Sequence, residues 1–505
     1  MLNRRNFIRV GGGVALGGVA AGAVPTLTYG ADSGFSTLAA RLQGDLVQSG
    51  DTGYDQAKQL MMMQWDAAAP QAIAYCETAA DVQKSVLFAR ERGIPVRTRS
   101  GGHSYAGWST GPGLVIDVSR INHATVSGSN VRMGPGTQSV NGITALAPLG
   151  KQIATGTCPT VCPGGFFSGG GYGYATRKFG LGSDRVAAAS VVLADGSLVR
   201  ASATQNSDLF WALRGGGGGN FGIVVDFEVR PISAPTMVYY ETWWDYADVA
   251  ALFGAWQDWI GSGSDNLGSQ FILMLPDAAA GQQPLVLITG GYLGPKSELD
   301  TALAQLASLS GARPQDSNAV EGSYADGMKH VYHCDSFTVQ QCQRTGTNPD
   351  AALPRVGWQR ETYRLFNTRL GAADNARLLG AWDSQRAAGH TRYLHCMALG
   401  GAANRVSRTS TAYWHRDATF VAGFVDQLPT AAPPAEDQAV AESWTDNAAA
   451  VLDPLSSGAY VNFTSSRLSD WQHRYYGDNY GRLTTVKRAY DPTNFFQHGR
   501  SIEVG

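Results

Sequence analysis

Apolar and polar positions along this chain switch between two periods. Around residues 78–93 the apolar positions Val82, Val86 and Ala89 recur on one helical face. Thr78-Ala79-Ala80-Asp81 opens that stretch as a capping box with an acid in the glutamate place, and Gly93 suits its C-terminal cap. Short continuous apolar runs at 94–96 and 114–118 read as buried strands, with a glycine-rich loop at 97–113 between them. Residues 191–193 and 198–199 flank Asp195-Gly196 and predict a hairpin. Ser207 is placed to cap a short helix at 208–213, which runs into the glycines at 215–219 and then a strand at 223–229. After Pro231 and Pro235 the pattern changes to tryptophan-rich strands mixed with alanine-rich helices. A Pro/Ala linker at 429–434 precedes a helix at 439–452, and residues 475–500 return to the character of the first part. A discontinuous domain is therefore expected: 32–232 and 439–505 form one unit, and 233–438 form a central one. No internal repeat or low-complexity tract is seen.

Composition narrows the class. A chain of 505 residues is too long for one hydrophobic core. Hydrophobic content of 44% with 16% charged residues reads as globular. A formal net charge of −2 argues against nucleic acid or an anionic membrane as the main partner. Asn3-Arg4-Arg5-Asn6-Phe7-Ile8-Arg9, followed by a Gly/Ala/Val-rich stretch at 10–24, matches a twin-arginine signal. Residues 1–31 are expected to engage the twin-arginine export machinery and to be removed after Ala23 or nearer Ala31. No later run is apolar enough to span a membrane, so the mature chain is expected to be soluble, unanchored and outside the cytoplasm. Of six cysteines, Cys334 and Cys342 are close enough in sequence to pair.

Several spellings carry no chemistry here. Gly217-Gly218-Gly219-Asn220-Phe221-Gly222 fits a dinucleotide fingerprint, but a helix precedes it and a strand follows, the reverse of the required order. No P-loop or Gly-x-Ser-x-Gly elbow occurs. His330-Val331-Tyr332-His333-Cys334 lacks a second cluster at zinc-like spacing, so no metal site is expected. Two loops stand out. Arg99-Ser100-Gly101-Gly102-His103-Ser104-Tyr105 sets an imidazole among glycines and hydroxyls, whose backbone amides can bind a pyrophosphate. Cys158-Pro159-Thr160-Val161-Cys162-Pro163-Gly164-Gly165 sets a thiol before a second glycine cradle, Ser168-Gly169-Gly170-Gly171-Tyr172-Gly173.

With 213–224 and 486–496, these loops resemble the berberine-bridge-enzyme-like branch of the vanillyl-alcohol-oxidase flavoproteins over nearly the whole mature chain. The resemblance implies an α+β, two-domain PCMH-type fold. An FAD-binding domain comes from both chain ends, and a central α/β substrate domain carries an antiparallel sheet. It implies FAD bound bicovalently, His103 bonding the flavin 8α-methyl and Cys158 bonding carbon 6. Cys162 stands where the family usually has glycine and is not assigned the link. Cofactor contacts carry over to Arg99, Ser100, Gly101, Gly102, Ser104, Tyr105 and Ser109. They also carry over to Val161, Gly164, Gly165, Ser168, Gly169, Gly170 and Gly173, and to Gly222, Ile223, Val224, Asn462 and Asn494. Phe166 replaces a family histidine thought to help the flavin N1–C2=O locus carry charge. Val161 matches a position where valine is associated with oxygen access, which favours an oxidase.

The family's base is a tyrosine in an Asn-Tyr pair, which reads Asn462-Phe463 here. Tyr172 is ranked first in its place and Tyr460 second, with Tyr393 or His395 behind. His415-Arg416 matches a family motif but suits packing or a salt bridge. The function expected is oxidation of an alcohol, a sugar or secondary-metabolite hydroxyl, with O2 reduced to peroxide. A dehydrogenase or oxidative cyclase, and a binding protein that keeps the fold, remain as alternatives. The latter could use twelve tryptophans and twenty tyrosines for sugar stacking.

Overall fold

The computed structural model describes residues 34–505; the segment expected to be a twin-arginine signal lies outside the described residues. The first half builds two sheets around a shared core. The helix Ala79–Glu91 starts at the expected capping box: Thr78 Oγ1 accepts the Asp81 N–H at 3.2 Å and Asp81 accepts the Thr78 N–H at 3.2 Å. Its Val82, Val86 and Ala89 face is buried with Leu114, Ile116, Ile223 and Phe496. It covers a four-stranded sheet ordered Asp45–Gln48, Ala72–Tyr75, Leu114–Asp117, Val96–Arg99. The first pair is antiparallel and the others are parallel.

The last strand in that order begins later than the apolar run at 94–96 suggested. Pro95 has no N–H to give, so only its carbonyl joins the ladder, accepting from Leu114 at 2.9 Å. The strand then runs through Arg97 and Arg99, polar residues that read as loop, because the Arg99 guanidinium is buried against Asp117. A second sheet is antiparallel throughout, ordered Ala124–Ser127, Asn130–Met133, Ile223–Val229, Val186–Val192, Leu198–Ser202. The expected hairpin is its last pair, turning through Gly196 at φ 82°. The short helix Ser207–Ala212 is preceded by Asn206 at φ 48°, so Asn206 takes the capping position expected of Ser207.

The central region is a seven-stranded antiparallel sheet. Its order is Asp316–Ser323, Thr236–Trp244, Leu285–Tyr292, Leu267–Leu275, Thr391–Ala398, Phe420–Leu428, Trp358–Phe366. Alternation gives the sheet two characters. Phe271, Leu273 and Leu275 pack under Trp256, Trp259, Trp382 and Trp444 of the helices Val249–Ser262, Ala372–Trp382 and Ala435–Leu452. Gln270 and Ile272 on the other face look into a cavity. The helix Ala435–Leu452 contains the boundary expected at 439. It packs with the central sheet: Trp444 lies 5.1 Å from the Phe424 ring and donates to the Trp382 carbonyl at 3.2 Å.

Beyond that helix the chain returns to the first half. The Lys487 ammonium is fully buried and donates to Asp491 at 2.7 Å, and to the carbonyls of Asn220 at 2.7 Å and Phe496 at 2.6 Å. Asn220 Oδ1 accepts the Ile502 N–H at 2.9 Å, and Trp108 stacks on His498 at 4.6 Å. One unit is thus made from both chain ends, an α+β arrangement with the antiparallel sheet inserted between them. Cys334 and Cys342 form a disulfide. Among the described residues no helix is long and apolar enough to cross a membrane, and no cluster of metal-ligating side chains occurs.

Candidate active site

A cavity of about 460 Å³ lies where the two halves meet. Its walls come from the loop after Val96–Arg99, the loop at 156–168, the glycines at 217–219 with Gly222, and central-sheet strands carrying Gln359, His395 and Gln427. Residues 460–464 and His498 complete it. Among the described residues, the backbone N–H groups of 100–105 donate to no other group of the chain, so they are free to meet a ligand. Gly101 is closely packed: a Cβ there would sit 3.0 Å from the Thr160 carbonyl and 3.1 Å from Cys162 Sγ, so those neighbours would have to give way.

The two candidate anchors share one neighbour. His103 Nε2 lies 2.8 Å from Thr160 Oγ1, and Cys158 Sγ lies 3.7 Å from the same oxygen. Burial, helped by the Arg344 cation, pushes His103 down to about 4, so its imidazole is neutral at ordinary pH. Burial raises the Cys158 thiol, against hydrogen bonds from Thr160 and Val161 that favour the thiolate. Cys162 is buried and committed elsewhere: its Sγ donates to the Gly136 carbonyl at 3.3 Å, and burial pushes it up to about 12.

Other expected residues fall in three places. Arg99, Ser100, Gly101, Gly102, Ser104, Tyr105, Ser109, Val161, Gly164, Gly165, Ser168, Gly222, Ile223, Val224 and Asn462 line the cavity with Tyr172 and Tyr460. Gly169, Gly170 and Gly173 stand behind that wall. A Cβ at Gly169 would meet Asn462 Oδ1 at 2.0 Å, so this glycine makes room for a lining residue instead of a ligand. Asn494 sits at φ 51° in the tail, its N–H on the Asp491 carbonyl at 3.0 Å. Tyr393 lines a second cavity. His415 bonds the Arg474 carbonyl at 2.9 Å, and Arg416 grips Asp184 with both nitrogens at 2.7 and 2.8 Å.

The expected bases differ in their surroundings. Tyr460 OH accepts from the Gly171 N–H at 2.8 Å and from Asn462 Nδ2 at 2.9 Å. Tyr172, its ring 4.5 Å away, has a buried hydroxyl with no partner, and burial holds its pKa well above the ordinary value. Phe463 packs among Tyr363 at 4.3 Å, Tyr105 at 5.4 Å and Tyr172 at 5.7 Å. Tyr363 OH meets His395 Nδ1 at 3.2 Å, and burial lowers His395 to about 4.

Sequence reasoning missed Glu361. It shares a strand face with Gln359 and Tyr363, accepts from Gln359 Nε2 at 2.9 Å, and burial pushes it up to about 7. Its charge faces Tyr105 and Tyr363. Period-two polarity in Trp358-Gln359-Arg360-Glu361-Thr362-Tyr363 was the available signal.

The second cavity, about 570 Å³, lies over the sheet's polar face. Tyr239, Glu241, Gln270, Thr289 and Tyr393 line it from the strands, and Tyr332, His333 and Arg344 from the segments that flank the Cys334–Cys342 disulfide. The two cavities share Met61, Thr157, Cys158, His395 and Gln427.

Comparison with known proteins decides the family. Residues 70–202 match an FAD binding domain and residues 459–503 match a berberine and berberine-like segment. The xylooligosaccharide oxidase of Thermothelomyces thermophilus is 30% identical over 452 residues, covering 86% of this chain and 87% of that protein. The chain belongs to the berberine-bridge-enzyme-like FAD-linked oxidoreductases. A second relative, the (R)-6-hydroxynicotine oxidase of Paenarthrobacter nicotinovorans, is 29% identical, with 92% of this chain and 97% of that protein covered. Among solved structures, a glucooligosaccharide oxidase from Acremonium strictum superposes with a TM-score of 0.80 at 25% identity, over 94% of this chain and 100% of the other. That structure is described as carrying a 6-S-cysteinyl, 8α-N1-histidyl FAD. The free amides of 100–105, the glycine walls, and the imidazole and thiol at one end are the donor set such a cofactor needs.

Proposed function

We propose that this oxidoreductase oxidises a hydroxyl of a polyhydroxylated substrate, an oligosaccharide or a glycoside, and hands the electrons to dioxygen. The observation that carries the reading is the junction of the cavities: a glycine-walled cavity opens at Cys158, His395 and Gln427 onto a sheet face lined by Tyr, Glu, Gln and Thr side chains. Such a face offers donors and acceptors to many hydroxyls at once. Its likeness to sugar-oligomer oxidases supports the same reading.

FAD, held at His103 and Cys158, supplies the hydride acceptor of the reaction. The chain's own groups manage the proton. Glu361 stands behind the cavity wall, bonded to the lining Gln359 and set against the lining Tyr105; burial raises its carboxyl to about 7, and it takes the hydroxyl proton through that wall. Gln359 itself accepts from Gln427 at 2.7 Å, which ties it to an amide that lines both cavities. Tyr172 offers its unpartnered hydroxyl to the bound molecule, while Tyr460 and Asn462 brace that wall. Val161 on the cavity wall supports access by dioxygen. Export of the folded chain through the twin-arginine route is part of the proposal, and the Cys334–Cys342 disulfide supports an oxidising destination.

Anaerobic mixing with a panel of oligosaccharides, glycosides and simple alcohols tests it. Sugar oligomers or glycosides should bleach the flavin, and air should restore the colour with release of peroxide. A protein that no member of the panel bleaches is a binding protein. One whose bleached form ignores air is a dehydrogenase. Either result contradicts the reading.

A further inference from the structure

We propose that Thr160 is the positioning residue for both flavin attachments, its one hydroxyl accepting the Nε2–H of His103 and donating toward the sulfur of Cys158. This rests on the two-point attachment proposed above. The hydroxyl is within 2.8 Å of the imidazole nitrogen and 3.7 Å of the sulfur, and Thr160 itself is buried.

The loop holds that oxygen still. The carbonyl before Thr160, that of Pro159, accepts the Val140 N–H at 3.0 Å. The carbonyl after it, that of Val161, accepts the Ser139 N–H and the Ser139 hydroxyl, each at 3.0 Å. Both donors belong to the first turn of the helix Ser139–Leu146, so the helix start pins Thr160 from either side. The Thr160 carbonyl accepts the Cys162 thiol at 3.6 Å, which turns that sulfur away from the hydroxyl.

One proton arrangement satisfies all three groups. A proton on Nε2, donated to Oγ1, leaves the imidazole lone pair on Nδ1, which becomes the attacking atom. The Thr160 proton then points at Cys158, where it stabilises a thiolate that burial alone would disfavour. In each attachment the nucleophile's electron pair forms the bond to a flavin carbon. That carbon and the nucleophile each give up one proton, the ring takes up two electrons, and dioxygen removes them as hydrogen peroxide. At the imidazole, Nε2 carries the proton that must leave, and Thr160 already holds it.

Peptide mass mapping of the purified holoprotein tests the proposal, following flavin occupancy at His103 and at Cys158 with time after synthesis. Thr160→Val removes the hydroxyl at constant shape and should slow both attachments by at least about tenfold, whereas Thr160→Ser should restore both. If Thr160→Val yields unfolded chain, Thr160→Ala is read in the same way. Wild-type rates at both positions in the variant that lacks the hydroxyl would overturn the proposal, as would loss of one bond with the other intact. A wild-type chain that releases all its flavin on denaturation would overturn the two-point attachment itself, a result distinct from either.

Discussion

Phe463 leaves the wall it shares with Tyr105, Tyr172 and Tyr363 without the hydroxyl that a tyrosine would bring. In the proposed reaction, proton transfer then falls to Glu361, whose carboxyl is raised to about 7 by burial. The sign is fixed: below that value the group is protonated and cannot accept a proton, and above it the base is competent. The rate of flavin reduction should therefore rise with pH through about 7 and level off. Glu361→Gln should slow it by about 100-fold and remove that limb, as read by stopped-flow reduction across pH. A variant that keeps both rate and limb would return the role to Tyr172 or Tyr460. Gly101→Ala makes a second prediction. Its Cβ would press on the backbone of 160–162, so the purified protein should carry less than half of its FAD, measured as flavin absorbance per chain.

At the level of elements, the tail is tied in by the Lys487–Asp491 pair, both side chains fully buried. Asp491 also accepts the N–H groups of Phe495 at 2.8 Å and Phe496 at 2.9 Å. Asp491→Ala would leave an ammonium buried and unpaired and should cost about 3–5 kcal/mol in denaturant unfolding. The candidate anchors were legible in the sequence because the two loops bearing His103 and Cys158 put nucleophiles among glycines, where little else can pack, and the structure brings both to one cavity wall. The strand Val96–Arg99 was not, since the burial of Arg99 depends on Asp117 from a neighbouring strand. The helix at 439–452 was readable as a helix, but its allegiance was not. Only the fold shows Trp444 under Phe424. Glu361 was hidden for a related reason: polar alternation looks the same whether a strand faces water or a cavity.

Over the whole molecule, the chain ends make a cofactor-binding unit and the inserted sheet presents a polar face beside it. Neither half has the site alone, since His103 and Cys158 come from one and Gln359, His395 and Gln427 from the other. Reduction of the Cys334–Cys342 disulfide should loosen the segment just beyond it that bears Arg344 and raise KM for large substrates more than for small ones, checked by steady-state kinetics with and without reductant. The central claim is a flavin held at two points between these halves. Denaturation, proteolysis and fragmentation mass spectrometry of the purified protein test it most directly. The account predicts one FAD joining two peptides, bonded at His103 and at Cys158. Free FAD in the supernatant, or a sulfur bond at Cys162, would contradict it.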